Sequence, residues 1–495
     1  MKALKKNEQT IIILTLIFIN FLIKGIFLSS NSLAGDEPFS VYHAQMDIDS
    51  IIRLLSAGNN PPLYEILLHF WIKLFGISEF SVRFPSLIFS SITVLYIYKL
   101  GTKFLNKRIA LYSSIIFILS NYHILFAHEA RVYSLLGLLS VISMYYFMNI
   151  IQYCNLDTKV DNNLKSTVRN NLIILILVNT LIIYSHYFGF FILITQFIFI
   201  IFNKKIFLKY WKQILIYSSI IGLLYLPNIF VFLNRFIESS FNGTWVKPPS
   251  GVESIYNMIW QFSNAPVVAV FCILVLVISL VKSIINKKQK NIYKRLVVFW
   301  FVSIFFFMYS TSYLVPIFMD RYVMPAAISY GLLIGISVDY LIEKPKYRFI
   351  IPALICILFM ATVKPNITNK RNVKETVKKI RDLKTNDVIV YICPSWFEMN
   401  FIYYYDNDCF KDYNTEDIKR NMFEYLNSDN IFPINSWQEI DAEHISHFDK
   451  VIFLDAGADF SFPNNNIKSQ LGLNYNLINK FKFYEIFHVF EYKSK

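Results

Sequence analysis

Cysteine is scarce here, five residues with no CxxC pair. The odd number and the spacing exclude a disulfide framework and offer nothing of zinc type. A bridge between Cys393 and Cys409 is conceivable, and buried thiols are the expectation. Glycine is also thin, 14 residues in 495, and forms neither a GxGxxG nor a P-loop, which argues against a nucleotide site. Acidic residues number 34 against 48 Lys and Arg, for a net charge of +14. In a soluble chain that excess would suggest nucleic acid. In this one the cations sit in short clusters between hydrophobic segments, a placement that reads as membrane topology, and no nucleic-acid partner is expected. The chain has no internal repeat and no low-complexity tract.

What it has is apolar surface. With 55% hydrophobic and 17% aromatic residues and a mean hydropathy of +0.43, the chain is a polytopic membrane protein by composition. About eleven spanning helices are expected. They cover roughly 11–28, 82–102, 109–126, 132–153, 171–185, 188–202, 213–233, 265–284, 295–315, 322–341 and 348–363. MKALKKNEQT has the charge pattern of a signal peptide but lacks a small-residue cleavage site, so the first span is read as uncleaved.

Charge asymmetry gives the orientation. Every second loop is basic: Lys2/Lys5/Lys6, Lys103/Lys107/Arg108, Lys159/Lys165/Arg169, Lys204/Lys205/Lys209/Lys212, Lys282/Lys287/Lys288/Lys290/Lys294/Arg295 and Lys344/Lys346/Arg348. The other loops carry scattered cations, chiefly Arg53, Lys73, Arg131, Arg235, Lys247 and Arg321. The positive-inside rule therefore puts the N-terminus in the cytoplasm of a plasma-membrane protein. An odd helix count then puts the C-terminus outside.

The first external loop, residues 29–81, carries the paired acid Asp36 and Glu37 close to where the first helix releases the chain. After it, Ile48, Ile51, Ile52 and Leu55 fall at helical spacing, predicting a short helix lying on the membrane. From Asn60 to Gly76 a second helix is expected, with Asn60 as cap, Pro61 at its first position and Gly76 as its stop. Its roughly 22 Å rise is short of the roughly 30 Å hydrocarbon core, so it too reads as interfacial, with a thin transmembrane helix as the alternative. Glu65, His69 and Lys73 recur every fourth residue and share one face, read as the wet side of that helix.

After Lys364 the composition changes. Val373, Val377 and Ile380 predict a helix over 372–384; VIVYICP and KVIFLDAG read as buried strands and FKFYEIFHVFEYK as a closing strand pair. The expected division is a transmembrane domain over 1–364 and an extracytoplasmic α/β domain over 365–495, an appendage that is structural or docks the acceptor.

"GDE" at 35–37, "NPPLY" at 60–64, "WIKLFG" at 71–76 and "SEFSVRFPS" at 78–86 stand in order ahead of a hydrophobic helix. That series resembles the membrane-embedded GT-C glycosyltransferases, in particular bacterial relatives of protein O-mannosyltransferases and of the aminoarabinose transferases of lipid A. The resemblance covers roughly the first 150 residues well and the later helices loosely. It implies a polytopic α-helical GT-C fold and transfer of a sugar from a polyprenyl-phosphate donor to a hydroxyl acceptor at the outer face of the membrane, with inversion. It also implies that the acid of the first external loop, Asp36, is the base, with Glu37 as a helper contact to the acceptor or the partner of a basic residue. The chain departs from the protein-mannosylating branch at Asn60, where that branch has a histidine before the two prolines, which puts transfer to protein in doubt.

Such a reaction needs cations to hold a leaving phosphate. Arg131, in HEARVYSLL, and Arg321, in MDRYVMPAA, lie at outer helix ends, where an arginine is costly unless paired or functional. The alternatives are pairing with Glu129 and with Asp320, or snorkelling of Arg321 to the headgroups. The resemblance, through "aRxY" and "RY", adds Tyr133 and Tyr322 to the donor contacts; Lys73 and His43 are further candidates. His43, His128 and His186 near the outer surface raise a divalent metal, but without HxxxH spacing none is favoured and no cofactor is expected. The other readings are a non-enzymatic lipid-linked-sugar transporter, which would need polar residues in mid-helix, where these helices read as free of them, and a surface-glycan polymerase using diphosphate-linked donors. The acceptor is left open among lipid, surface polysaccharide and protein.

Overall fold

The computed structural model describes residues 2–56, 60–155, 162–244, 246–286, 291–341, 347–411, 418–484 and 486–495. The expected cytoplasmic cations Lys159, Lys287, Lys288, Lys290, Lys344 and Lys346 lie outside the described residues. The chain forms two compact units, one of residues 1–27, 52–64 and 83–367, the other of residues 28–51, 65–82 and 368–495.

The first unit is helical. Among the described residues eight helices are long and apolar enough to cross a membrane, and a bent pair, Lys107–Leu119 with Asn121–Ala127, passes the same test together, as a broken span or a re-entrant loop. The two remaining expected spans coincide with shorter apolar helices, Tyr187–Phe202 and Ile350–Thr362. The 61° bend falls at Ser120, whose backbone is extended. A break inside a membrane must satisfy its exposed backbone groups. Asn264 does so, its Oδ1 accepting the Asn121 N–H at 2.7 Å and its Nδ2 donating to the Leu119 carbonyl at 2.8 Å.

Helix Met324–Leu341 lies in the most buried of the eight unbroken spans, and its Gly335 lies close against Lys107–Leu119. A Cβ at Gly335 would lie 2.5 Å from Ser113 Oγ and 3.3 Å from the Ile109 carbonyl, so a larger residue would force that hydroxyl to turn away and press on the neighbouring backbone. Helix Lys204–Asn242 has 39 residues, and a non-helical Tyr210 sets its basic first turns apart from the apolar remainder.

The helices are not free of polar residues in mid-span, contrary to the sequence reading. Ser143 Oγ donates to Asn179 Oδ1 at 2.5 Å, Asn179 Nδ2 to Gln196 Oε1 at 2.8 Å, and Gln196 Nε2 to Ser143 Oγ at 2.6 Å. Tyr217 joins them through its hydroxyl. Lys24, fully buried, donates to Ser90 Oγ at 3.0 Å and stacks over the Phe117 ring. Side chains far apart in sequence meet here, so each isolated Asn or Ser looked incidental in its own apolar run.

The second unit is built on a five-stranded sheet. Its strands are β1 (Val388–Cys393), β2 (Ile431–Pro433), β3 (Lys450–Ala456), β4 (Tyr475–Lys482) and β5 (Phe487–Ser494), in spatial order β2-β1-β3-β5-β4. β1 runs parallel to β2 and β3, and β5 antiparallel to β3 and β4. The strands expected at VIVYICP and KVIFLDAG are both there, and the expected closing pair is β4 with β5. The expected helix is Val373–Leu383, burying Val373, Val377 and Ile380. All five cysteines are free thiols.

Two parts of the first external loop, residues 28–51 and 65–82, belong to this same unit, and a series of hydrogen bonds ties them there. Asn369 Nδ2 donates to the Ser32 carbonyl at 2.9 Å, and the Lys374 N–H to Ser32 Oγ at 3.1 Å. Tyr404 Oη accepts the Leu33 N–H and donates to Glu79, both at 2.6 Å. Asn400 Nδ2 reaches the Gly35 carbonyl at 3.2 Å, and Tyr403 Oη the Ile77 carbonyl at 2.8 Å.

Candidate active site

The acid pair opens a helix that its seven residues made too short to read from periodicity, Glu37–His43. Asp36 is its first cap and Pro38 lies in its first turn, where a missing N–H costs nothing. The chain reaches it through Gly35, held at φ +63°, where a side chain would also strike Arg371. The two acids differ in setting. Glu37 is buried and its Oε2 accepts the Ala34 N–H at 3.3 Å, fixing the turn that delivers Asp36. Asp36 is exposed.

The polar stripe of the next helix has a different job from the one its spacing suggested. That helix is Leu63–Phe75, and it starts after the second proline because residues preceding proline are driven out of helical conformation. Gly76 stops it as expected, at φ +72° with its N–H on the Ile72 carbonyl at 2.8 Å. Glu65 and His69 are buried, not wet. Ser40 Oγ donates to Glu65 Oε1 at 2.8 Å, and His69 Nδ1 donates to the Ala44 carbonyl at 3.0 Å, so both pin this helix to Glu37–His43. Lys73, at the far end, is exposed. The outward face is apolar instead, with Phe70 53% and Leu74 76% exposed, as a helix resting on lipid requires. His43 is buried and donates from Nδ1 to the Phe39 carbonyl at 2.6 Å.

In the helical unit a second group forms at the helix ends. Arg131 is buried in the turn before helix Tyr133–Cys154, whose first residue is Tyr133. Arg321 lies in the short turn Asp320–Val323, which Tyr122 Oη holds through the Asp320 carbonyl at 2.5 Å. The Arg321 guanidinium sits 5.9 Å from the Tyr133 ring and 5.5 Å from that of Tyr322, within cation–π reach of both. The same place holds a residue that sequence reading valued only as a possible metal ligand. His186 packs against Tyr322 at 5.3 Å and Tyr133 at 6.2 Å between ring centres. Burial first, then the nearby charges of Arg131 and Arg321, push its pKa down to about 3, so the imidazole is neutral at working pH. The group thus joins two cations, two tyrosines and a neutral imidazole drawn from three distant parts of the chain.

Of the three histidines raised for a metal, His128 donates from Nε2 to the Lys24 carbonyl at 2.7 Å, and His43 and His186 belong to different units. Among the described residues no three His, Cys, Asp or Glu side chains gather as a metal-holding group.

A bundle of apolar helices with a structured first loop and a small C-terminal sheet is the architecture of the GT-C fold, and this chain is a multi-pass membrane protein of that fold. The model of the dolichyl-phosphate-mannose-protein mannosyltransferase family matches residues 59–230. ArnT from Cupriavidus metallidurans in the apo state is similar over 97% of both chains, at TM-score 0.59 and 10% identity. The same protein bound to undecaprenyl phosphate gives TM-score 0.59 and 9% identity over 97% of both chains. The Archaeoglobus fulgidus oligosaccharyltransferase in complex with Zn and sulfate gives TM-score 0.56 and 11% identity, covering 98% of this chain and 73% of that one. No curated protein sequence matches this chain significantly.

Proposed function

We propose that the chain is a glycosyltransferase that moves a sugar from a polyprenyl-phosphate donor to a hydroxyl acceptor at the outer face of the membrane, with inversion. The observation that carries the reading is the division of labour in the acid pair, an exposed Asp36 delivered by a buried Glu37 on a braced turn. The GT-C fold and the match to a mannosyltransferase family model support the reaction class, and ArnT with undecaprenyl phosphate bound supports a lipid-linked donor.

In this reading the acceptor hydroxyl gives its proton to the Asp36 carboxylate as its oxygen bonds to the anomeric carbon. The bond from that carbon to the phosphate oxygen breaks, and its electron pair leaves with the polyprenyl phosphate. The phosphate changes from a singly charged diester to a doubly charged monoester. Groups that bind the second charge therefore lower the barrier more than they tighten the donor. Arg131 and Arg321 are assigned that role, with Tyr133 and Tyr322 as walls and Lys73 and His43 as peripheral donor contacts. No cofactor or divalent metal is assigned a part. The acid loop and the C-terminal unit face outward and the N-terminus is cytoplasmic.

The test compares Asp36→Asn and Glu37→Gln in one membrane preparation, measuring turnover of lipid-linked sugar and donor binding. Asp36→Asn should lose about 10²- to 10⁴-fold in turnover and keep donor binding. Glu37→Gln should lose less and also loosen the turn. Near-normal turnover in Asp36→Asn would refute the assignment.

A further inference from the structure

We infer that His186 is a third, uncharged donor to the phosphate of the lipid substrate. This rests on the reading of Arg131 and Arg321 as the phosphate clamp, and adds a residue which that reading does not contain. His186 is 2% exposed, yet its Nε2 has no hydrogen-bond partner among the described residues. Its other nitrogen is committed, since Nδ1 accepts the Phe188 N–H at 3.2 Å. That contact fixes the tautomer, and the proton must sit on Nε2, on the opposite edge of the ring.

A buried N–H without an acceptor costs about 1–3 kcal/mol and is retained where something else supplies the acceptor. The surroundings specify what that would be. Two guanidiniums lie close enough to act on the imidazole, and the Tyr322, Tyr133 and Phe188 rings pack around it, with Phe188 at 4.9 Å. A cation would be repelled by the guanidinium charges that act on the ring. An anion with several acceptor oxygens uses all three groups. The neutral imidazole adds a directed hydrogen bond without a third charge to hold the product back.

The probe is a short-chain polyprenyl phosphate compared with the corresponding polyprenol, bound to the detergent-solubilised full-length protein. His186→Phe keeps an aromatic ring but no donor, and should weaken phosphate binding by roughly tenfold while leaving the alcohol unchanged. His186→Gln, which restores an N–H, should recover part of the loss. A folded His186→Phe whose phosphate-to-alcohol ratio equals that of the wild type overturns the inference if Arg131→Ala and Arg321→Ala both lower that ratio. If those arginine variants also leave it unchanged, the phosphate-clamp reading itself fails, and the inference with it. Should His186→Phe not fold, the wild-type protein answers alone: the Nε2 proton resonance of His186 should move downfield with the phosphate and not with the alcohol. An unmoved resonance at saturating phosphate overturns the inference.

Discussion

Replacing Tyr404 with phenylalanine removes one oxygen and two hydrogen bonds, and both bonds brace the loop that carries the acid pair. The hydroxyl accepts the Leu33 N–H and donates to the Glu79 carboxylate, each at 2.6 Å. Burial and the adjacent Glu79 charge hold the phenol pKa far above its ordinary value, so it remains a donor throughout the working pH range. In the variant the part-buried amide of Leu33 loses its acceptor, at about 1–3 kcal/mol, and Glu79 loses a charge-assisted bond that water partly replaces. A net loss of about 2 kcal/mol, confined to the loop, corresponds to roughly 30-fold faster exchange of the protected amides there. Hydrogen exchange on the full chain is the assay. Residues 31–37 should lose protection, and β1 and β3 should keep theirs. Turnover should fall with donor binding little changed, because the base is displaced and the phosphate contacts are not. Unchanged exchange at 31–37 with unchanged turnover would show that the loop stands without the C-terminal domain.

Gly35→Ala places a Cβ 2.0 Å from Arg371 Nη1 at a residue held at φ +63°. The backbone strain costs about 1–2 kcal/mol, which adding Arg371→Ala should not relieve although it removes the clash, so thermal unfolding should find the double variant only partly restored. Engineered cysteines at Ser250 and at Lys495 should both be labelled from outside in intact cells, and labelling of position 495 only after permeabilisation would invert the proposed orientation of the second unit. His186 also predicts a pH effect on stability. Its pKa is lowered on folding to about 3 from the ordinary 6.5, so the contribution of the neutral ring is fully present above pH 6.5 and is lost as pH falls below it. In that window the wild type should lose up to about 1.4 kcal/mol per pH unit from this group, and His186→Phe should show a shallower acid limb in its melting temperature. Parallel acid limbs would mean the imidazole accepts its proton in the folded state.

The elements that could be read from sequence are those whose information is local. Val388–Cys393 and Lys450–Ala456 are continuous apolar runs long enough to be recognised as buried strands, whereas β2 contributes three residues, Ile431–Pro433, and exists only because β1 offers it an edge. Helix Leu63–Phe75 was legible, its polar stripe was correctly located, and the surroundings of that stripe were read the wrong way round. Periodicity says which residues share a face and says nothing of what that face meets. Here its first two residues, Glu65 and His69, meet Glu37–His43, too short to leave a periodic trace, and form a buried polar seam, while Lys73 stays exposed as expected.

The candidate site divides along the same line. Asp36 and Glu37 are neighbours in sequence and could be picked out as a pair, but their unequal roles depend on which carboxylate turns inward to the Ala34 amide, which adjacency does not encode. His186 is the opposite case, a single imidazole between two apolar stretches with no motif around it. Its meaning comes from Arg131, 55 positions before it, and Arg321, 135 positions after it, whose charges both act on the ring. One signal was present in the sequence: a histidine at the junction of two apolar helices is expensive to bury and must be offset by a partner. Without the fold that signal raised only a metal, and without HxxxH spacing did not favour one. The two guanidiniums bear on that choice, because positive charge acting on the ring disfavours a metal ion and favours the anion proposed above.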